Sequence, residues 1–95
     1  MKKAFVIILS IFVAITTFAQ EYSSTNKKAI AAYETALQNY QLLYYDKAEE
    51  NLKTALKQDQ YFVEAYYLLA GVYTQKQDTT QMLNALKTCV DKCGG

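Results

Sequence analysis

From Lys27 onward, apolar residues recur at helical intervals. Ile30, Tyr33, Leu37, Tyr40 and Tyr44 step by three and four, the spacing of residues that share one helix face. Ala48, Leu52, Ala55 and Leu56 make a second stripe. Phe62, Tyr66, Leu69 and Tyr73, with Ala70 beside them, make a third, and Met82, Leu83, Leu86, Cys89 and Val90 a fourth. Strand alternation is nowhere sustained, so the pattern predicts an all-α chain with helices near 27–43, 47–58, 61–76 and 80–93. The turns between them are short, and successive helices therefore run antiparallel.

The breaks carry capping chemistry. Asp46 followed by Glu49 is spaced for a reciprocal cap, the Asp oxygen taking a free first-turn N–H while Glu49 reaches back. Asp59 suits the start of the third helix, and Asp78 or Thr80 the start of the fourth. Gly94 is expected to close the last helix in the left-handed conformation.

One pentapeptide recurs: LKTAL at Leu52–Leu56 returns as LKTCV at Leu86–Val90, 34 residues later. Sliding residues 29–61 onto 63–95 aligns Ala31 with Ala65, Tyr33 with Tyr67, Ala36 with Ala70, Gln41 with Gln75, and Leu52, Lys53 and Thr54 with Leu86, Lys87 and Thr88. Other pairs keep their character, as Ala55 with Cys89 and Leu56 with Val90. The reading is one helical hairpin built twice, units 29–62 and 63–95, behind a polar lead-in at 20–28.

A 34-residue period with two helices per unit resembles the tetratricopeptide repeat family. In the second unit, Tyr66 stands where that family places Trp, Leu69 and Ala70 match its Leu-Gly pair, and Tyr73 its Tyr. Met82, Leu86 and Cys89 follow at its Ala, aromatic and Ala positions. In the first unit, Ala36 and Ala48 hold the two small-residue positions, and Tyr45-Asp46-Lys47-Ala48 reads like the family's Tyr-Asp-x-Ala turn. Gln60 departs from the usual closing Pro, Ala32 from the bulky opening residue, and Met82 overfills an alanine slot. The resemblance implies a four-helix solenoid fragment of helix-turn-helix repeats. Any antiparallel four-helix bundle would show the same stripes, though without the 34-residue register.

By the same resemblance, the first helix of each unit lines a concave peptide-binding groove. Its implied positions are Tyr33, Leu37, Tyr40 and Gln41, with Ile30 beside them, and Tyr67, Gly71, Thr74 and Gln75, with Glu64 beside them. Such a groove suits an extended or helical peptide from another protein. Tyr at helical spacing also suits simple packing: that reading fits Tyr40, Tyr66 and Tyr73 better, whereas Tyr33 and Tyr67 fit either. Glu49, Glu50, Lys53 and Lys57 read as a solvated face with i, i+4 pairing.

The first nineteen residues belong to something else. Met1-Lys2-Lys3 is a short positive start, Ala4–Ile15 is almost unbroken apolar chain, and Thr17-Phe18-Ala19 ends on a small residue before Gln20. This is the layout of a secretory signal peptide cleaved between Ala19 and Gln20, implying a periplasmic or secreted protein. A membrane role enters only if that segment stays uncleaved. Removing it leaves eight Lys against nine acidic residues, with no Arg and no His. That balance argues against nucleic acid or anionic lipid as the partner, since both need clustered cations.

Catalytic chemistry finds no foothold. There is no His for general base work, no Gly-rich phosphate loop and no converging carboxylate cluster, so neither enzyme activity nor a cofactor is expected. Cys89 and Cys93 lie on the same side of the last helix, two thiols with too few companions for a metal site. They leave open a disulfide within or between chains, a redox role, or, for Cys89, the small core slot that Ala55 fills one unit earlier. Two units are a short stack, and repeat arrays need about three for independent stability. The open face of the last helix, around Leu83, Leu86, Val90 and Cys93, is therefore expected to be covered by a second copy or a larger partner.

Overall fold

In a computed structural model of the chain, residues 21–94 are described. The segment expected to direct export and its expected cleavage site at Ala19 and Gln20 lie outside them. Four α-helices follow one another, α1 (Lys27–Gln41), α2 (Tyr45–Gln58), α3 (Val63–Gln75) and α4 (Thr79–Cys93), and no strand occurs among the described residues. The fold is all-α, two antiparallel helical hairpins in series.

Which helices touch decides between a closed bundle and an open stack. α1 packs on α2, α2 on α3 and α3 on α4, and α1 also meets α3. α4 meets α3 alone. A closed four-helix bundle brings its last helix back against its first; here the second hairpin leans on the first through α3.

The repeat is visible atom by atom in the turns. Tyr44 N–H donates to the Asn39 carbonyl at 2.8 Å and Leu43 N–H to Tyr40 at 3.0 Å; 34 residues on, Asp78 N–H donates to Tyr73 at 2.9 Å and Gln77 N–H to Thr74 at 3.0 Å. Each is a Schellman closure, in which the two residues beyond the helix satisfy its last free carbonyls. Such closure needs a left-handed residue at its centre, and Leu43 and Gln77 have φ of 65° and 60°. Thr54 and Thr88 repeat too, each hydroxyl donating to the carbonyl four residues back.

These closures set the helix ends. α1 stops at Gln41, short of the predicted 43, because Leu43 has left the right-handed region. α2 and α4 then start together in the repeat, at Tyr45 and Thr79. Asp78 caps α4 as expected, accepting from Gln81 N–H at 3.1 Å. Three expected caps differ. α2 starts from Tyr44 with no side-chain cap; Asp46 and Glu49 lie inside the helix and turn toward Lys76 of α3 instead of forming a reciprocal cap. Asp59 closes α2 and accepts from Tyr61 N–H at 2.9 Å, while α3 starts three residues later from Phe62. Gly94 ends α4 in the right-handed region, φ −91°, so no left-handed cap exists there.

Alanines make the close contacts of the first hairpin: Ala29, Ala36, Ala48 and Ala55 are fully buried, with Leu52 among them. The larger residues of α1's stripe are half-buried, and its last, Tyr44, is exposed. α3 sits between its neighbours, which explains why Ala65, Tyr66, Leu69, Ala70, Val72 and Tyr73 are all buried on a helix that is apolar nearly all round. In α4, Ala85 joins Cys89 in the core, while Leu83 and Val90 of the predicted stripe face outward.

A left-handed non-glycine residue costs about 1–2 kcal/mol. Leu43 is exposed, so Leu43→Gly removes that cost with little lost packing, and Gln77→Gly does the same. Each is expected to raise unfolding free energy by about 0.5–1 kcal/mol after the added chain entropy of glycine is subtracted. Urea titration reads the change.

Candidate interaction surface

The lead-in before α1 is tied down by its polar side chains. Asn26 caps α1, its side-chain oxygen accepting from Ala29 N–H at 3.0 Å, and its amide donates to the Gln58 carbonyl at the end of α2 at 3.1 Å. Ser23 reaches the start of α3: its hydroxyl accepts from Val63 N–H at 3.1 Å and donates to Glu64, whose other oxygen accepts from Ser23 N–H at 2.8 Å. α3, which has no cap of its own, thus borrows one from 40 residues upstream. Burial alone would raise the Glu64 pKa, but the Ser23 hydrogen bonds outweigh it and hold the carboxyl below its ordinary value. Tyr22 then lies across Tyr33 and Phe62, ring centroids 5.4 and 6.0 Å away, and its hydroxyl donates to Glu34.

That strap alters the groove. Tyr33 packs in a triangle of rings with Tyr22 and fully buried Phe62, whose ring centroid is 5.1 Å from its own. Burial, then the nearby Glu64 charge, raises the Tyr33 pKa. Tyr40 is packed as well: it meets Tyr45 edge to face at 5.5 Å, and its hydroxyl lies 3.6 Å from where a Cβ on Gly71 would stand. Tyr40 and Gly71 are thus the point where α1 and α3 approach, not open lining. Leu37 is half-buried, while Gln41, Thr74 and Gln75 are exposed, the Thr74 hydroxyl donating to its own helix at Ala70. Tyr67 stands clear at 60% exposure, although it occupies the same repeat position as Tyr33.

A polar knot at the other end of α3 ties the hairpins together. Lys76 donates to Asp46 at 2.7 Å and Glu49 at 2.9 Å, and the Tyr73 hydroxyl donates to Glu49 at 2.7 Å. Glu49 also pairs with Lys53 at 3.1 Å one turn on. Desolvation pushes the Glu49 pKa up, but hydrogen bonds from Tyr73, Lys76 and Lys53 outweigh it and hold the carboxyl at about 2. Tyr73 is driven the other way, to about 12, by burial and by donating to that carboxylate. The solvated face expected of Glu49, Glu50, Lys53 and Lys57 holds for the last three, with Glu49 turned inward.

The second unit is more exposed at positions that are half-buried in the first. Tyr67, Leu83 and Val90 are 60%, 57% and 65% exposed, and Leu86 and Cys93 are half-buried beside them. Between α3 and the end of α4 a cleft of about 240 Å³ is lined by Val63, Tyr67, Cys89, Val90, Cys93 and Gly94. Cys89 and Cys93 are free thiols. Burial, then the neighbouring Cys93, pushes the Cys89 pKa up, so its thiol is not primed as a nucleophile. Among the described residues, no group of three or more His, Cys, Asp or Glu is placed to hold a metal ion, and no helix is long and apolar enough to cross a membrane. No family model matches the chain, and neither a curated protein nor a solved structure does.

Two contributors escaped the sequence pattern. Ser23 and Tyr22 lie in a segment without periodicity, and their partners are 41 and 12 residues away in Glu64 and Glu34. Only the missing cap of α3, a helix starting without Ser, Thr, Asp or Asn at Phe62, hinted that the donor groups there are met from elsewhere.

Because the Glu49 pKa is depressed when folded, its contribution is complete above the ordinary Glu value of 4.5 and is lost as pH falls toward about 2. Stability is expected to decline across that interval. Glu49→Gln should lower unfolding free energy at neutral pH by about 1.5–3 kcal/mol, the range for hydrogen bonds to a charged group, and flatten the acid limb. Denaturation at stepped pH compares the two. Ser23→Ala should cost about 1 kcal/mol, the usual loss on removing a helix cap.

Proposed function

We propose that this chain is a tetratricopeptide-like adaptor that holds another polypeptide and carries out no catalysis. The observation behind this reading is the exposure of Tyr67, Leu83 and Val90, whose counterparts 34 residues earlier, Tyr33, Glu49 and Leu56, are half-buried. Tyr67 and Val90 line one cleft, and exposed apolar side chains grouped in this way are a feature of protein association sites. The two matched Schellman turns and the open order of helix contacts support the repeat family; the layout of Met1–Gln20 supports action outside the cytoplasm, in the periplasm or beyond the cell. The mature charge, near balance and without Arg, favours a polypeptide over nucleic acid or anionic lipid.

The binding surface in this reading is narrower than the eight groove positions the family resemblance implies. Tyr33, Tyr40 and Gly71 are packing residues, so Tyr67 and the outward residues of α4 carry the contact. A thiol function would rest on Cys89 and Cys93, and the raised Cys89 pKa works against it.

Tyr67→Ala is expected to abolish capture of partner proteins from the native envelope fraction while leaving the melting temperature unchanged. Tyr33→Ala should instead destabilise the fold by about 2 kcal/mol, toward the low end for truncating a large core residue because Tyr33 is half-buried. Quantitative capture alongside thermal melts separates the two effects. Equal recovery with Tyr67→Ala and the unaltered protein would refute the surface assignment.

A further inference from the structure

The repeat itself says what belongs in the cleft beside Tyr67. Moving four of its six lining residues, Val63, Tyr67, Cys89 and Val90, back by 34 gives Ala29, Tyr33, Ala55 and Leu56; the other two, Cys93 and Gly94, give Asp59 and Gln60 at the end of α2. In the first unit Tyr33 meets the Phe62 ring at 5.1 Å, and Ala29 and Ala55 are fully buried in the same cluster as Phe62, with Tyr33 and Leu56 packed against it. Phe62 is the residue from which α3 starts. The cleft of the second unit is therefore the Phe62 slot without its ring. Its size is ample, since an apolar cavity of about 150 Å³ already accepts benzene, and this one measures about 240 Å³.

We infer that the cleft receives an aromatic side chain standing at the N-terminal boundary of an amphipathic helix supplied by a partner protein, in the way Phe62 docks α3 on the first unit. The far end of that helix differs from α3. Where the first unit offers Asp46 and Glu49 to Lys76 and the Tyr73 hydroxyl, the second has Thr80 and Leu83. Leu83 is exposed and uncharged, so the partner helix carries an apolar residue, not a lysine, about four turns beyond its aromatic anchor. A second copy of this chain is a poorer occupant. The positions through which α3 buries itself, Ala65, Leu69 and Val72, correspond in α1 to Ala31, Thr35 and Gln38, all exposed and mostly polar.

This inference rests on the adaptor reading and names the chemistry of its ligand. The test uses the protein's own helix as probe: a synthetic peptide of residues 59–74 carrying Phe62→Trp, added to the purified protein. The chain has no Trp, so all indole emission comes from the peptide. A saturable blue shift is expected. Val90→Lys in the protein should weaken binding at least about tenfold, as loss of a buried anchor contact does, with unchanged circular dichroism because Val90 is exposed. Thr35→Lys, at the opposite end of the stack, should leave it unchanged. Competition by a Phe62→Ala peptide as strong as by the Phe62 peptide would overturn the aromatic slot while leaving the adaptor reading to the capture experiment. Absence of a saturable shift would overturn it as well, and so would Val90-dependent dimerisation in sedimentation, which assigns the face to a second copy.

Discussion

The fold turns on the burial of one ring. Phe62 has no exposed surface, and it stands where three parts of the chain meet: the lead-in through Tyr22, the first hairpin through Tyr33, and the second hairpin because α3 starts from it. Full burial of a side chain this size is worth roughly 1.5–3 kcal/mol, a sizeable share of what a domain this small retains. The polar contacts around it are arranged so that the ring can be dry. Ser23 takes up the Val63 N–H that the helix start would otherwise leave unpaired, and Asn26 ties the lead-in to the last carbonyl of α2.

At the far end of α3, the Glu49 knot works differently. Its members are partly solvated, and its value lies in register: Lys76 and the Tyr73 hydroxyl meet Asp46 and Glu49 only when the second hairpin sits at one height against the first. A hydrophobic contact tolerates sliding, whereas hydrogen bonds of 2.7–2.9 Å between four named groups do not. Phe62 supplies adhesion and the knot supplies alignment.

How much of this was readable beforehand differs by element. Helices α2 and α3 were legible because their buried residues recur at three and four, and the 34-residue register was legible because Leu52, Lys53 and Thr54 return intact as Leu86, Lys87 and Thr88. The ends were less so: the Schellman turns place Leu and Gln where glycine is the usual signal, so nothing in the residue types marked α1 as ending at Gln41. The groove was only half legible. The family resemblance put Tyr33 and Tyr67 at one position, but it had no means of showing that Tyr22 would fold back on one and leave the other bare. Glu49 was misread for a related reason, since its partners Tyr73 and Lys76 belong to another helix and local spacing carries no trace of them.

The two ends of the stack are unlike. One shows Lys28, Ala31, Thr35 and Gln38 to water, and the other Tyr67, Leu83 and Val90. Subunits that join unlike ends head to tail grow without limit unless the ring closes. Here the exposed apolar residues stand at one end only, so a head-to-tail contact between copies would set Tyr67, Leu83 and Val90 against a polar face that gives them no apolar counterpart.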